Sequence, residues 1–123
     1  MSITRRTLLH RLVVGDIFHA ATPNGASLIC LVTRLTKIQV EARVVTTQKT
    51  VRIDRNTGLG RLGTEAVACA VDSVAPLPVA IHNEMLGIDR KFRLAQSDED
   101  AKLTSSQRDA LIFIYSFYSE RPI

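Results

Sequence analysis

Residues 37–54 read KIQVEARVVTTQKTVRID, and this stretch decides the fold. Ile38, Val40, Ala42 and Val44 alternate with Lys37, Gln39, Glu41 and Arg43. A period of two puts successive side chains on opposite faces, so Lys37–Thr46 reads as a half-buried β-strand. Lys49–Asp54 repeats the pattern with Val51 and Ile53 inward, and the polar residues between make the pair a hairpin. Two registers compete. A two-residue turn sets Arg43 against Arg52 and Glu41 against Asp54, two like-charge pairs that would cost about 0.2–1 kcal/mol each and leave an anion site. A Thr47–Thr50 loop sets Arg43 against Asp54, an ordinary ion pair, and electrostatics favours it. Both keep Val44 and Ile53 on the core face.

More strands flank this hairpin. Asp16–Ala21 is short and follows the Val13-Val14-Gly15-Asp16 turn. Thr22-Pro23-Asn24-Gly25 is a turn, because Pro presets φ and Asn-Gly tolerates positive φ. Ala26–Leu35 is apolar on both faces, as in a strand covered on two sides. Ala66–Val71 returns as a fifth strand after a glycine-rich loop, Asn56–Gly63. Five short antiparallel strands must curl to bury their one apolar face and limit exposed edges. The expected fold is α+β, mostly β: a small SH3-like barrel or strongly curled sheet followed by two C-terminal helices.

The helices follow a change of pattern after Ser73. Pro76-Leu77-Pro78 breaks the strand, and Ile81, Met85, Ile88 and Phe92 recur at helical spacing, with Gly87 as a point of bending or splitting. Ser97-Asp98-Glu99-Asp100 is an acidic linker. Thr104 and Gln107 form a capping-box pattern that opens a last helix through about Ser119. The organisation is therefore a basic lead-in at 1–14, a barrel at 15–75, and a helical extension at 76–123 packed on it. Thr4-Arg5-Arg6-Thr7-Leu8-Leu9-His10 has the paired arginines of an export signal. Only Leu12, Val13 and Val14 follow before Gly15-Asp16 interrupts, so the segment reads as a lead-in.

A chain of 123 residues, 46% hydrophobic and 23% charged, can bury a core without staples, which excludes disordered and disulfide-scaffold classes. Cys30 and Cys69 sit in apolar runs without CxxC spacing, as buried thiols of a reducing, cytoplasmic setting. No stretch approaches the roughly 18 apolar residues of a membrane span. The charge of +4 is unevenly placed: residues 1–61 carry +7 and residues 62–123 carry −3. Arg supplies 12 of the 16 positive charges, a residue suited to bidentate phosphate or carboxylate recognition.

Catalytic and metal motifs fail on context. Gly58-Leu59-Gly60-Arg61-Leu62-Gly63 matches GxGxxG, but the preceding strand is amphipathic and too little chain follows for a dinucleotide fold. His10, His19 and His82 are scattered, and His82-Asn83-Glu84 lacks the PCxxC partner of zinc deaminases. No metal, cofactor or catalytic residue is assigned, and the chain is read as non-enzymatic.

Two functional readings remain. In the first, the chain is a binding or adaptor module for nucleic acid or another anionic partner, with Arg5, Arg6, Arg11, Arg52, Arg55 and Arg61 as phosphate contacts. In the second, it is a structural or regulatory homo-oligomer. Phe113, Tyr115, Phe117 and Tyr118 fall within six residues. If Leu111, Ile114 and Tyr118 dock the last helix, Phe113 and Phe117 form a second apolar ridge and an oligomer interface.

Overall fold

The computed structural model describes residues 4–123; residues 1–3 of the expected lead-in lie outside the described residues. Nine elements run in the order α1 (Arg5–His10), β1 (Ile17–Ala21), β2 (Ser27–Leu35), β3 (Gln39–Val44), β4 (Thr50–Asp54), β5 (Leu59–Leu62), β6 (Val67–Ser73), α2 (Val79–Leu94) and α3 (Ser105–Ser119). The six strands form an antiparallel meander that closes where β1 pairs with β6. The fold is mostly β, a closed barrel followed by two C-terminal helices.

The barrel has six strands, not five, because the glycines at 58, 60 and 63 shape a strand rather than a loop. Gly58 and Gly63 turn the chain at φ +78° and +70° on either side of β5. Gly60 faces inward, opposite Ile53 on β4 and Cys69 on β6. A Cβ there would lie 2.2 Å from the Arg52 carbonyl oxygen and 2.6 Å from Ile53 Cδ1. Glycine therefore lets β5 approach β4 closely at this point of the barrel wall.

The hairpin of residues 37–54 adopts neither expected register. Glu41 pairs with Arg52 and Arg43 with Thr50. The Val44 N–H donates to the Lys49 carbonyl at 2.9 Å, and Gln48 turns the chain at φ +63°. The connection is drawn earlier along the chain because Val45 leaves the alternation. Its N–H donates to the Ile29 carbonyl, and its side chain is fully buried beneath the helices. The inward set Val40, Ala42, Val44, Val51 and Ile53 is as expected, since the registers share parity. Ile38 is instead exposed, because the strand begins one residue after it.

Two cores result. The first fills the barrel with Phe18, Cys30, Val32, Val40, Val44, Val51, Ile53 and Val71. Leu9 enters it from α1 and Leu12 from the segment just after that helix, so the stretch ahead of Gly15 plugs the barrel. The second core lies outside β1 and β2, where Ile17, Ile29, Leu31 and Val45 meet Met85, Ile88, Ile114 and Tyr118. Both faces of β2 are thus buried, as its unbroken apolar run requires. Helix α2 passes through Gly87 without interruption. The capping box of α3 is formed: Gln107 N–H donates to Thr104 Oγ1 at 3.1 Å, and Thr104 N–H donates to Gln107 Oε1 at 2.9 Å.

Candidate functional site: an arginine row on the bare barrel face

The helices cover the outside of β1 and β2 and reach the Arg43 end of β3, and they leave the rest of β3 and the outside of β4 and β5 bare. On the bare side the register assembles a row across five strands. Arg34 pairs with Glu41, Glu41 with Arg52, Arg52 with Arg61, and Arg61 with Ala68. Inward neighbours alternate with these residues, so the row points to solvent. It holds three cations and one carboxylate. Arg52 Nε lies 3.9 Å from Glu41 Oε2, a loose pair, and among the described residues Arg61 Nη1 donates only to the Ala66 carbonyl, at 3.4 Å. Like charges directly opposed across strands repel, so Arg52 and Arg61 together favour an external anion. They border a shallow groove of about 500 Å³ that also exposes Ile38 and Leu59. Asp54 stands in the same groove and limits its net charge.

The other candidate arginines divide. A Cβ on Gly58 would lie 3.2 Å from Arg5 Cδ, which places the Arg5 side chain over the β4–β5 turn. Arg6 and Arg11 are exposed around α1 and line a separate depression with Thr4, Thr7 and His10. Arg55 is buried and holds the fold. Its guanidinium donates to the Thr36 carbonyl at 2.7 Å, to His10 at 3.0 Å and to Leu9 at 3.5 Å. It closes the C-terminal end of α1, where free carbonyls attract a cation, and ties α1 to the β2–β3 turn. A phosphate contact from Arg55 would cost those bonds.

Arg43, weighed as part of an anion site, finds its anion inside the chain. Nε and Nη2 each donate to Asp89 of α2 at 2.8 Å, and Gln48 Nε2 donates to Asp89 Oδ1 at 3.0 Å. Burial pushes the Asp89 carboxyl up, but the bonds from Arg43 and Gln48 and the charges of Arg43 and Arg93 outweigh it and hold it below the usual range. The bond with Asp89 raises Arg43 against the opposing effect of burial. This clamp was missed from sequence. Its signal was an Asp four residues after Met85, on the apolar face of α2.

The expected aromatic ridge is corrected. Phe117 is buried between Tyr118 and Phe113, with the Arg121 guanidinium 4.1 Å above its ring. Helix α3 docks through the expected Leu111, Ile114 and Tyr118, with Tyr118 stacked on the buried His19 ring at 5.1 Å between centroids, but the covered face is wider than expected and takes in Phe117. Phe113 is 40% exposed, and its neighbours in the exposed strip are Ile112 at 69% and Tyr115 at 50%.

His19 sits at a bulge in which Asp72 is the extra residue of β6, and its Nδ1 meets Asp72 Oδ1 at 2.5 Å. Burial drives the Tyr118 hydroxyl up, with Cys30 and Asp72 adding to the effect. Burial likewise pushes Cys30 well up, reinforced by Cys69 and Asp72. Cys69 is also raised by burial, against a lowering by Arg61. Both thiols are therefore held protonated. Among the described residues, no cluster of His, Cys, Asp and Glu is arranged to hold a metal ion, and no helix is long and apolar enough to cross a membrane.

Comparison with protein-family models, curated proteins and solved structures finds no match to this chain.

Proposed function

We propose that this chain is a non-enzymatic binding module whose bare barrel face takes a polyanion, nucleic acid being the partner its chemistry fits best. The observation that carries the reading is the direct opposition of Arg52 and Arg61 across β4 and β5, with one carboxylate loosely engaged. Arg5, over the adjoining turn, extends the cationic surface toward α1. Phosphates spaced along a backbone satisfy such a row. Among the described residues, Arg52 and Arg61 have no aromatic residue beside them in the groove, so the contact is with the backbone and indifferent to sequence. The protonated thiols and the covered His19 ring support the non-enzymatic part of the reading. Filter binding with mixed single-stranded DNA and RNA, repeated across salt, tests it. Binding that weakens steeply with salt is expected; no binding at low salt would refute it.

A second reading rests on the α3 strip of Ile112, Phe113 and Tyr115. Apolar side chains exposed together on one helix suit a second copy of the chain. Light scattering separates the two readings: the second requires a dimer or larger species that Ile112→Glu with Tyr115→Glu returns to monomer.

A further inference from the structure

A cleft of about 280 Å³ opens where the end of α1, the start of β1 and the β6–α2 connection meet. Its floor is made by Leu12, Ile17 and Leu77, all buried, and its rim carries Arg11, Asp16 and His82. The rim groups differ in their commitments. Asp16 Oδ2 accepts a hydrogen bond from the Val13 N–H at 2.9 Å, which holds the turn into β1. Among the described residues, no carboxylate pairs with Arg11 or His82. Helix α2 begins at the same rim with Pro78 at its N-cap and no side chain closing it. Its first-turn N–H groups add positive potential there.

We propose that this cleft binds a small apolar carboxylate, with its hydrocarbon on Leu12, Ile17 and Leu77 and its carboxylate held by Arg11 beside His82. Small-ligand sites have this composition, an apolar cleft with a few polar groups that fix orientation. Arg suits a carboxylate because its planar fork matches the two oxygens. The Asp16 charge at the rim favours a monoanion over a phosphate dianion. Benzene fills a cavity of about 150 Å³, so the cleft admits a ligand of about ten non-hydrogen atoms. The cleft shares no residue with the Arg52–Arg61 groove, and the proposal stands whether or not that face binds nucleic acid.

The test is an amide-resolved NMR titration of the full chain with octanoate and with octanamide, its uncharged counterpart of the same size. Octanoate is expected to give saturable shifts confined to the surroundings of Arg11, Ile17, Leu77 and His82, and octanamide to bind about tenfold more weakly. Arg11→Gln, an exposed change that leaves the fold intact, should weaken octanoate about tenfold and leave octanamide unchanged. Leu8→Trp, which fills the cleft from its wall, should abolish both while the remaining spectrum stays dispersed. Equal affinity for acid and amide, an unchanged Arg11→Gln variant, shifts centred on α3, or no saturable shift would each overturn the proposal.

Discussion

Asp89 is the side chain on which the seating of α2 depends most. It is almost fully buried on the packed face of that helix and receives three hydrogen bonds from Arg43 and Gln48. Removing one partner of a buried pair leaves the other charge uncompensated, which costs about 3–5 kcal/mol when both are fully buried. The Arg43 side chain keeps 25% exposure, so solvent recovers part of that cost. Asp89→Asn is therefore expected to lose about 2–3 kcal/mol in urea unfolding. The pH dependence follows the same bonds. The folded carboxyl is held below its unfolded value, so its contribution is complete above about pH 4 and is lost as pH falls through the lowered folded value. Unfolding followed across that range should show an acid limb in the wild type that is shallower in Asp89→Asn. Arg55 supplies a contrast. Because its guanidinium is spent on three carbonyls, Arg55→Gln should lower stability by about 2–3 kcal/mol and leave the salt dependence of polyanion binding unchanged.

At the scale of elements, α1 is the piece whose role differs most from its appearance in sequence. Six residues are too few to make a stable helix alone, and packing supplies what length does not. Leu9 is fully buried in the barrel core, so Leu9→Ala is expected to cost about 2–4 kcal/mol by thermal or urea unfolding. The inward faces of β3 and β4, the doubly buried β2 and the capped start of α3 were readable, because each follows from a local period or a short capping pattern. The Leu59–Leu62 strand was not, because its glycines signal a loop unless a neighbouring strand is known to press against Gly60. The hairpin register escaped because it depends on Val45 being drawn under the helices, a contact between distant parts of the chain. The burial of Phe117 beside the expected face of α3 escaped for the same reason. Nothing local distinguishes Phe117 from Phe113 until Phe117 has packed on the edge of Tyr118 under the Arg121 guanidinium. Of the candidate site, the residue types were readable; their sorting into bare arginines and the buried Arg55 required α1 and the β2–β3 turn to fold onto Arg55.

For the whole molecule, the charge asymmetry between residues 1–61 and 62–123 becomes a spatial division. The helices bury one side of the barrel, and Asp89 draws Arg43 to the edge of that covered side. What remains on the bare side is the row from Arg34 through Arg61. If that row is the binding surface, affinity is electrostatic and each arginine that meets a phosphate releases counterions. The most direct measurement is the slope of log affinity for single-stranded DNA against log salt concentration, compared between wild type and Arg52→Gln/Arg61→Gln. The slope should flatten by about 1.4, or about 0.7 for each phosphate contact removed, with affinity at low salt falling at least tenfold. An unchanged slope and affinity in a variant that unfolds like the wild type would contradict the account.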